Sequence, residues 1–238
     1  MIKYLNIAFF IGMVIMNYLA NALPLNNHKT GELSDAYPNL FVPAGITFSI
    51  WGIIYLLLAG FLIVQFTASG NVAASSIGWL FIITCLFNSF WIVCWHYEKL
   101  PLSLIVMAGL LVTLIYINIL LKDLPFNLIK AAFGIYLGWI CIATIANVTA
   151  ILVNYKWGGF GISDEIWTII MISAGALLAC LTVLNLMNPF SGLSVIWAFT
   201  GIIIKRQGDH RSIAIAAAVA IVVVSVVTVV GFMKKPSF

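Results

Sequence analysis

The chain has 238 residues, of which 63% are hydrophobic and only 8% charged, and its formal net charge is +4. Soluble domains carry about 25% charged residues, so this sequence has too little charge to cover a surface in water, and lipid is the solvent it matches. The positive excess is small and contains no basic block or aromatic–basic interleaving, which excludes nucleic acid as a partner.

A spanning helix needs about 20 apolar residues. The first apolar run, Tyr4–Leu23, follows Lys3 and ends on Ala20-Asn21-Ala22, which resembles a signal-peptide cleavage site. Asn17 and Asn21 lie one helical turn apart inside it, which suits a retained helix packed against others. A polar loop, Pro24–Ala44, carries His28, Lys29, Glu32 and Asp35. The runs Gly45–Phe66, Ile77–Trp95, Leu102–Leu121 and Phe126–Val153 follow in close succession. A second loop, Asn154–Glu165, holds Trp157 and three glycines. Beyond it lie Ile166–Met187, Pro189–Ile204 and Ile213–Met233. The seventh run has only 16 residues, but Asn188-Pro189 is a good helix start and Lys205 and Arg206 can snorkel at its end. The expected fold is an all-α polytopic transmembrane bundle of eight spans, with seven as the alternative. Strands are excluded because lipid tolerates only helices and closed barrels, and no alternating ten-residue pattern occurs. The lysines and arginines divide five against six between the two sides, which leaves orientation open. The Lys205, Arg206 and Arg211 cluster leans towards the cytoplasm.

Cys85, Cys94, Cys141 and Cys180 all fall inside apolar runs and read as small packing residues. His28, His96 and His210 have no zinc-ligand spacing. All seven acidic residues lie in loops or at helix ends. Intramembrane carboxylates mark proton and cation pathways, so their absence argues against a proton-coupled carrier. No paired carboxylates, HExxH or Ser/His/Asp set is present, so no enzymatic activity is expected.

Rings and amides remain, and their spacing is informative. Phe48, Trp51 and Tyr55 share one face of the second span, and Asn88, Trp91 and Trp95 share one face of the third. Tyr136, Trp139, Ala143 and Asn147 do so in the fifth. Several lie deep in their spans, away from the interface belts that Trp and Tyr prefer. Two readings stay open: helix-packing stripes with amides as interhelical glue, or the walls of an apolar cavity with a few convergent polar groups.

These stripes resemble the TspO/MBR family of tryptophan-rich sensory proteins, which includes the translocator protein (peripheral benzodiazepine receptor). The segment VPAGITFSIWGIIYLLLAG (residues 42–60) is similar to the family's Pro-led second helix. LFNSFWIVCWHYEKL (86–100) is similar to its Asn-x-x-Trp third helix, and YLGWICIATIAN (136–147) to its Tyr-x-x-Trp…Ala…Asn fifth helix. The resemblance covers about residues 1–155 as a five-helix core, with 156–238 as a C-terminal helical extension. It departs from the family in the first loop, where the Asn26–Phe41 stretch and a single Pro43 replace a short Trp-rich segment with Pro pairs.

The resemblance implies an internal pocket for porphyrins, sterols or aromatic drug-like molecules, with a porphyrin- or haem-like ligand in place of a resident cofactor. It places Trp51, Tyr55, Asn88, Trp91, Trp139, Ala143 and Asn147 in the wall, and Phe48, Trp95 and Tyr136 on the same stripes. The resemblance does not place His28 and Lys29, which are either residues of a solvated loop or basic groups that meet ligand carboxylates at the mouth. The expected role is sensory or regulatory ligand binding. A transporter of the same ligand and a purely structural membrane protein are the alternatives. Partners are membrane lipid and a hydrophobic small molecule. Gly134 and Gly138 form a small-xxx-small motif that seats either a neighbouring helix or a second protomer, so a homodimer is a further expectation. The expected location is a bacterial plasma (inner) membrane.

Overall fold

The computed structural model describes residues 1–23, 25, 26, 28, 33 and 36–234. Among them nine α-helices form: α1 (Ile2–Ala22), α2 (Ile50–Val64), α3 (Ala68–Ile77), α4 (Leu80–His96), α5 (Leu100–Leu120), α6 (Leu128–Asn154), α7 (Asp164–Asn185), α8 (Phe190–Arg206) and α9 (Arg211–Met233). A 3₁₀ turn, Gly45–Ser49, leads into α2. The starts follow local chemistry. Thr67, Asn127 and Ser163 cap α3, α6 and α7 by accepting from the backbone N–H three residues on. Pro101 opens α5, where its missing N–H costs nothing.

All eight apolar runs become helices, so the polytopic all-α bundle is as expected. The favoured count of eight is corrected and the alternative of seven remains. Six helical segments, with the 3₁₀ turn and α2 taken together as Gly45–Val64, are long and apolar enough to cross a bilayer, or seven if α3 and α4, bent by 62° at their junction, form one broken span. Two of the expected spans fall short for physical reasons. Each of α4 and α8 has 17 residues, about 26 Å at 1.5 Å per residue against a hydrocarbon core of roughly 30 Å. Gly78, with φ of 54°, breaks the chain just before α4. The α8 helix begins only after Asn188-Pro189, and protein surrounds much of it, so its length need not match the lipid.

The long α6 runs through the middle of the bundle. Its Ala132, Phe133, Tyr136, Leu137 and Ile140 are fully buried, and it packs against α2, α5, α7 and α8. One contiguous core joins Leu58 and Phe61 of α2, Phe81 of α4 and Leu114 of α5 to Val195 and Phe199 of α8 and Ala217 and Val224 of α9. The last three helices therefore share the core of the first six.

The small residues of α6 explain the close approach of α8. A side chain at Gly134 would collide with the Asn188 amide, and one at Gly138 with the Ser191 carbonyl and Ser194 Oγ. The neighbour that the small-residue motif seats is the chain's own α8, so this motif no longer argues for a second protomer. Amides lock the same junction. Asn188 Nδ2 donates to Asn118 Oδ1 of α5 at 2.7 Å and to Lys130 O of α6 at 2.9 Å, and Asn118 Nδ2 donates to Phe133 O at 3.2 Å. Buried Lys130 keeps its charge satisfied by donating to the Lys122 and Leu124 carbonyls beyond the end of α5.

Candidate functional site

Because successive long helices run in opposite directions, the C-terminal halves of α1, α4, α6 and α8 and the start of α2 all reach the end of the bundle where the 36–44 loop lies. A cavity of about 690 Å³ opens there. Its walls are Phe48, Trp51 and Tyr55 of the α2 entry and helix, Trp91 and Trp95 of α4, and Trp139, Ala143 and Asn147 of α6. From Trp139 to Ala150 the α6 wall runs eleven helical steps, a depth of about 16 Å or half a bilayer core.

Aromatic geometry fixes the walls. Trp51 stacks on Tyr55 with ring centres 5.6 Å apart and meets Trp139 edge-on at 6.3 Å. Phe48 meets the same Trp139 ring edge-on at 5.9 Å. On the opposite wall Trp91 stacks on Trp95 at 5.4 Å. Such offset and edge contacts each contribute about 0.5–1.5 kcal/mol beyond burial and hold the rings in place around open space. Half-buried Ala143 sits one turn beyond Trp139 and leaves that space unfilled.

Eight of the ten residues expected from the stripes line the cavity, and two do not. Asn88 and Tyr136 lie behind the wall. Asn88 Nδ2 donates to Tyr136 Oη at 3.1 Å, and Asn88 Oδ1 accepts from Asn17 Nδ2 of α1 at 2.6 Å. Both are buried, and Asn88 joins α1, α4 and α6 through these bonds instead of lining the cavity. The Asn88→Ala variant is therefore expected to lose stability, by about 1–3 kcal/mol for the stranded Tyr136 and Asn17 groups. Ligand affinity should stay nearly unchanged when unfolding and titration are measured side by side. Asn147 combines both roles. It lines the cavity, accepts from Trp91 Nε1 at 2.9 Å and donates to Ser103 Oγ of α5 at 3.0 Å, which fixes the Trp91 ring. The indole N–H groups of Trp95 and Trp139 have no hydrogen-bond partner.

Sequence reasoning missed three contributors. Val14, Asn17, Tyr18 and Asn21 of α1 form one wall; the Asn17–Asn21 spacing marked an interhelical face without saying which helices it meets. Asn39, Val42 and Pro43 bring the loop into the rim, and Lys205 comes from α8. Of the two basic groups considered for the mouth, His28 is not among the lining residues and Lys29 lies outside the described residues.

The rim is built by α8. Arg206 Nη2 and Nε donate to the carbonyls of Asn39 and Leu40 at 2.8 and 3.1 Å, and Nη1 pairs with Asp209 at 3.1 Å. Ala44 N donates to Gly201 O at 3.0 Å, and Trp197 Nε1 donates to Thr47 O at 2.8 Å. Gly201 is needed at this contact, since a side chain would strike Thr47 and Pro43. Asn39 then shapes the turn, its Oδ1 accepting from Phe41 N and Val42 N, both at 3.1 Å. On the other flank Tyr37 Oη donates to Glu98 at 3.0 Å. Burial, and then the Glu98 carboxylate, push the Tyr37 hydroxyl up to about 12, so it remains a donor at neutral pH.

A family model described as TSPO-like protein matches residues 3–230. That match runs well past residue 155 and takes in α7, α8 and nearly all of α9. No curated protein and no solved structure matches the chain at a significant level.

Proposed function

The chain belongs to the TSPO-like protein family, and from that premise we propose that it is a membrane receptor binding a tetrapyrrole- or sterol-like molecule in the cavity between α1, α2, α4 and α6, with a sensory or regulatory role. The family consists generally of non-enzymatic membrane receptors and transporters. One observation carries the reading: rings from three separate helices converge on a single apolar space of about 690 Å³, a size within the 300–1,000 Å³ range of small-molecule sites. Flat rings or fused alicyclic skeletons match such walls, because indole faces bury large apolar areas at little cost in side-chain freedom. In this reading Phe48, Trp51, Tyr55, Trp91, Trp95, Trp139 and Ala143 touch the ligand. Asn147 positions Trp91, and Asn88 and Tyr136 brace the helices behind.

The test is tryptophan-quenching titration with protoporphyrin IX in nanodiscs, comparing wild type with Trp139→Ala. Removing Trp139 strands no hydrogen-bond partner, since its N–H has none, so the variant mainly loses contact area at the wall. Affinity is expected to fall at least tenfold, about 1.4 kcal/mol; the unfolding midpoint falls too, because the edge contacts to Trp51 and Phe48 are lost, so affinity is compared under conditions where both proteins are folded. Equal affinity in the two proteins contradicts the site. Flux of the porphyrin across liposomes carrying the protein would make it a carrier instead.

A further inference from the structure

The cavity has an uneven polarity that its ring-lined walls do not explain. Its deep part, around Tyr55 and Trp139, carries no charge. Its loop end gathers Tyr18, Asn21, Asn39 and Lys205. Lys205 is the one charged residue in the lining among the described residues. It is contributed by α8, beyond the three helices that carry the aromatic stripes. We propose that the cavity selects an anionic amphipath, whose ring body lies among Trp51, Trp91, Trp95 and Trp139 and whose acidic headgroup meets Lys205 at the loop end. This rests on the reading of the cavity as a ligand site and narrows its ligand to the acid-bearing class.

Three features support the assignment. A cation beside a low-dielectric, water-poor space attracts an anion far more strongly than one in open water. Lys205 sits in the last turn of α8, where the helix C-terminus favours its charge and holds it at the rim. The loop amide beside it is otherwise occupied: Asn39 accepts from Phe41 N and Val42 N and donates to Tyr37 O, so it has little left to offer a ligand. Lys205 also has an interaction within the chain, but an ammonium carries three donors and can hold that contact and a headgroup together. Beside it lies a smaller polar pocket of about 320 Å³ that also contains Arg206 and Asp164. Arg206 is committed to the loop carbonyls and Asp209, and Asp164 is the single acid in that lining.

The test uses one ring system in two charge states, protoporphyrin IX and its dimethyl ester, titrated into wild type, Lys205→Gln and Lys205→Arg in nanodiscs of zwitterionic lipid. Wild type is expected to prefer the acid over the ester by about tenfold, the glutamine variant to lose that preference while holding the ester as before, and the arginine variant to keep it. An equal preference in wild type and Lys205→Gln overturns the assignment while leaving the cavity reading intact, as does a glutamine variant that loses acid and ester alike. Failure of wild type to bind either probe overturns both.

Discussion

An Ala143→Trp variant is expected to lose ligand binding by at least a hundredfold while the bundle remains folded. Ala143 lies one turn from Trp139 on the same face of α6 and leaves open the space that the surrounding rings enclose. An indole there fills the void with the protein's own side chain, which removes the room for a ligand and buries apolar surface at the same time. The ring enters existing space, so the strain that accompanies overpacked cores, typically 1–3 kcal/mol, should be largely absent. A titration by tryptophan quenching or by a radiolabelled ligand reads the loss, and the unfolding midpoint serves as control. Undiminished affinity in a folded Ala143→Trp protein would mean that the ligand binds elsewhere.

The second large effect concerns stability. A Gly138→Val substitution is expected to destabilise the protein by about 3 kcal/mol, measured by reversible unfolding in SDS–detergent mixtures. The new branched side chain would collide with the Ser191 carbonyl and Ser194 Oγ of α8, and the Ser191 carbonyl is also the acceptor for Ser194 Oγ at 3.0 Å. Neither a backbone carbonyl nor a buried helix can yield cheaply, so α8 must move away from α6. In a membrane the packing of small residues is a main source of helix association. The displacement also reaches the rim, because α8 holds the 36–44 loop through Gly201 and Arg206. Ligand affinity should therefore fall together with stability, whereas Ala143→Trp separates the two.

The sequence made most of the cavity legible because helical periodicity reports which residues share a face. Trp51 with Tyr55, Trp91 with Trp95, and Trp139 with Ala143 and Asn147 do converge on one space. Periodicity does not report which neighbour a face meets, and a helix face is wide enough to touch two. Asn88 and Tyr136 therefore shared stripes with wall residues yet sit one layer back, hydrogen-bonded to each other and, through Asn88, to α1. The α8 helix was the least legible part. Its Ser191, Gly192 and Ser194 carry little hydropathy, yet those small groups allow the helix to nest between α6 and α9. Its place in the rim depends on contacts such as Arg206 with Asn39, 167 residues apart in the chain. The favoured count of eight fell to six or seven for a related reason: apolar run length could not reveal that Gly78 breaks the chain before α4, whereas the shortness of α8 was already visible in its 16-residue run.

The central claim is that the space between α2, α4 and α6 accepts a hydrophobic ring compound. Equilibrium binding of protoporphyrin IX to the wild-type chain in nanodiscs, referenced to empty nanodiscs, tests it most directly. Saturation at one molecule per chain, with quenching of the tryptophan emission, is the predicted result. A linear uptake indistinguishable from partition into empty nanodiscs would contradict it.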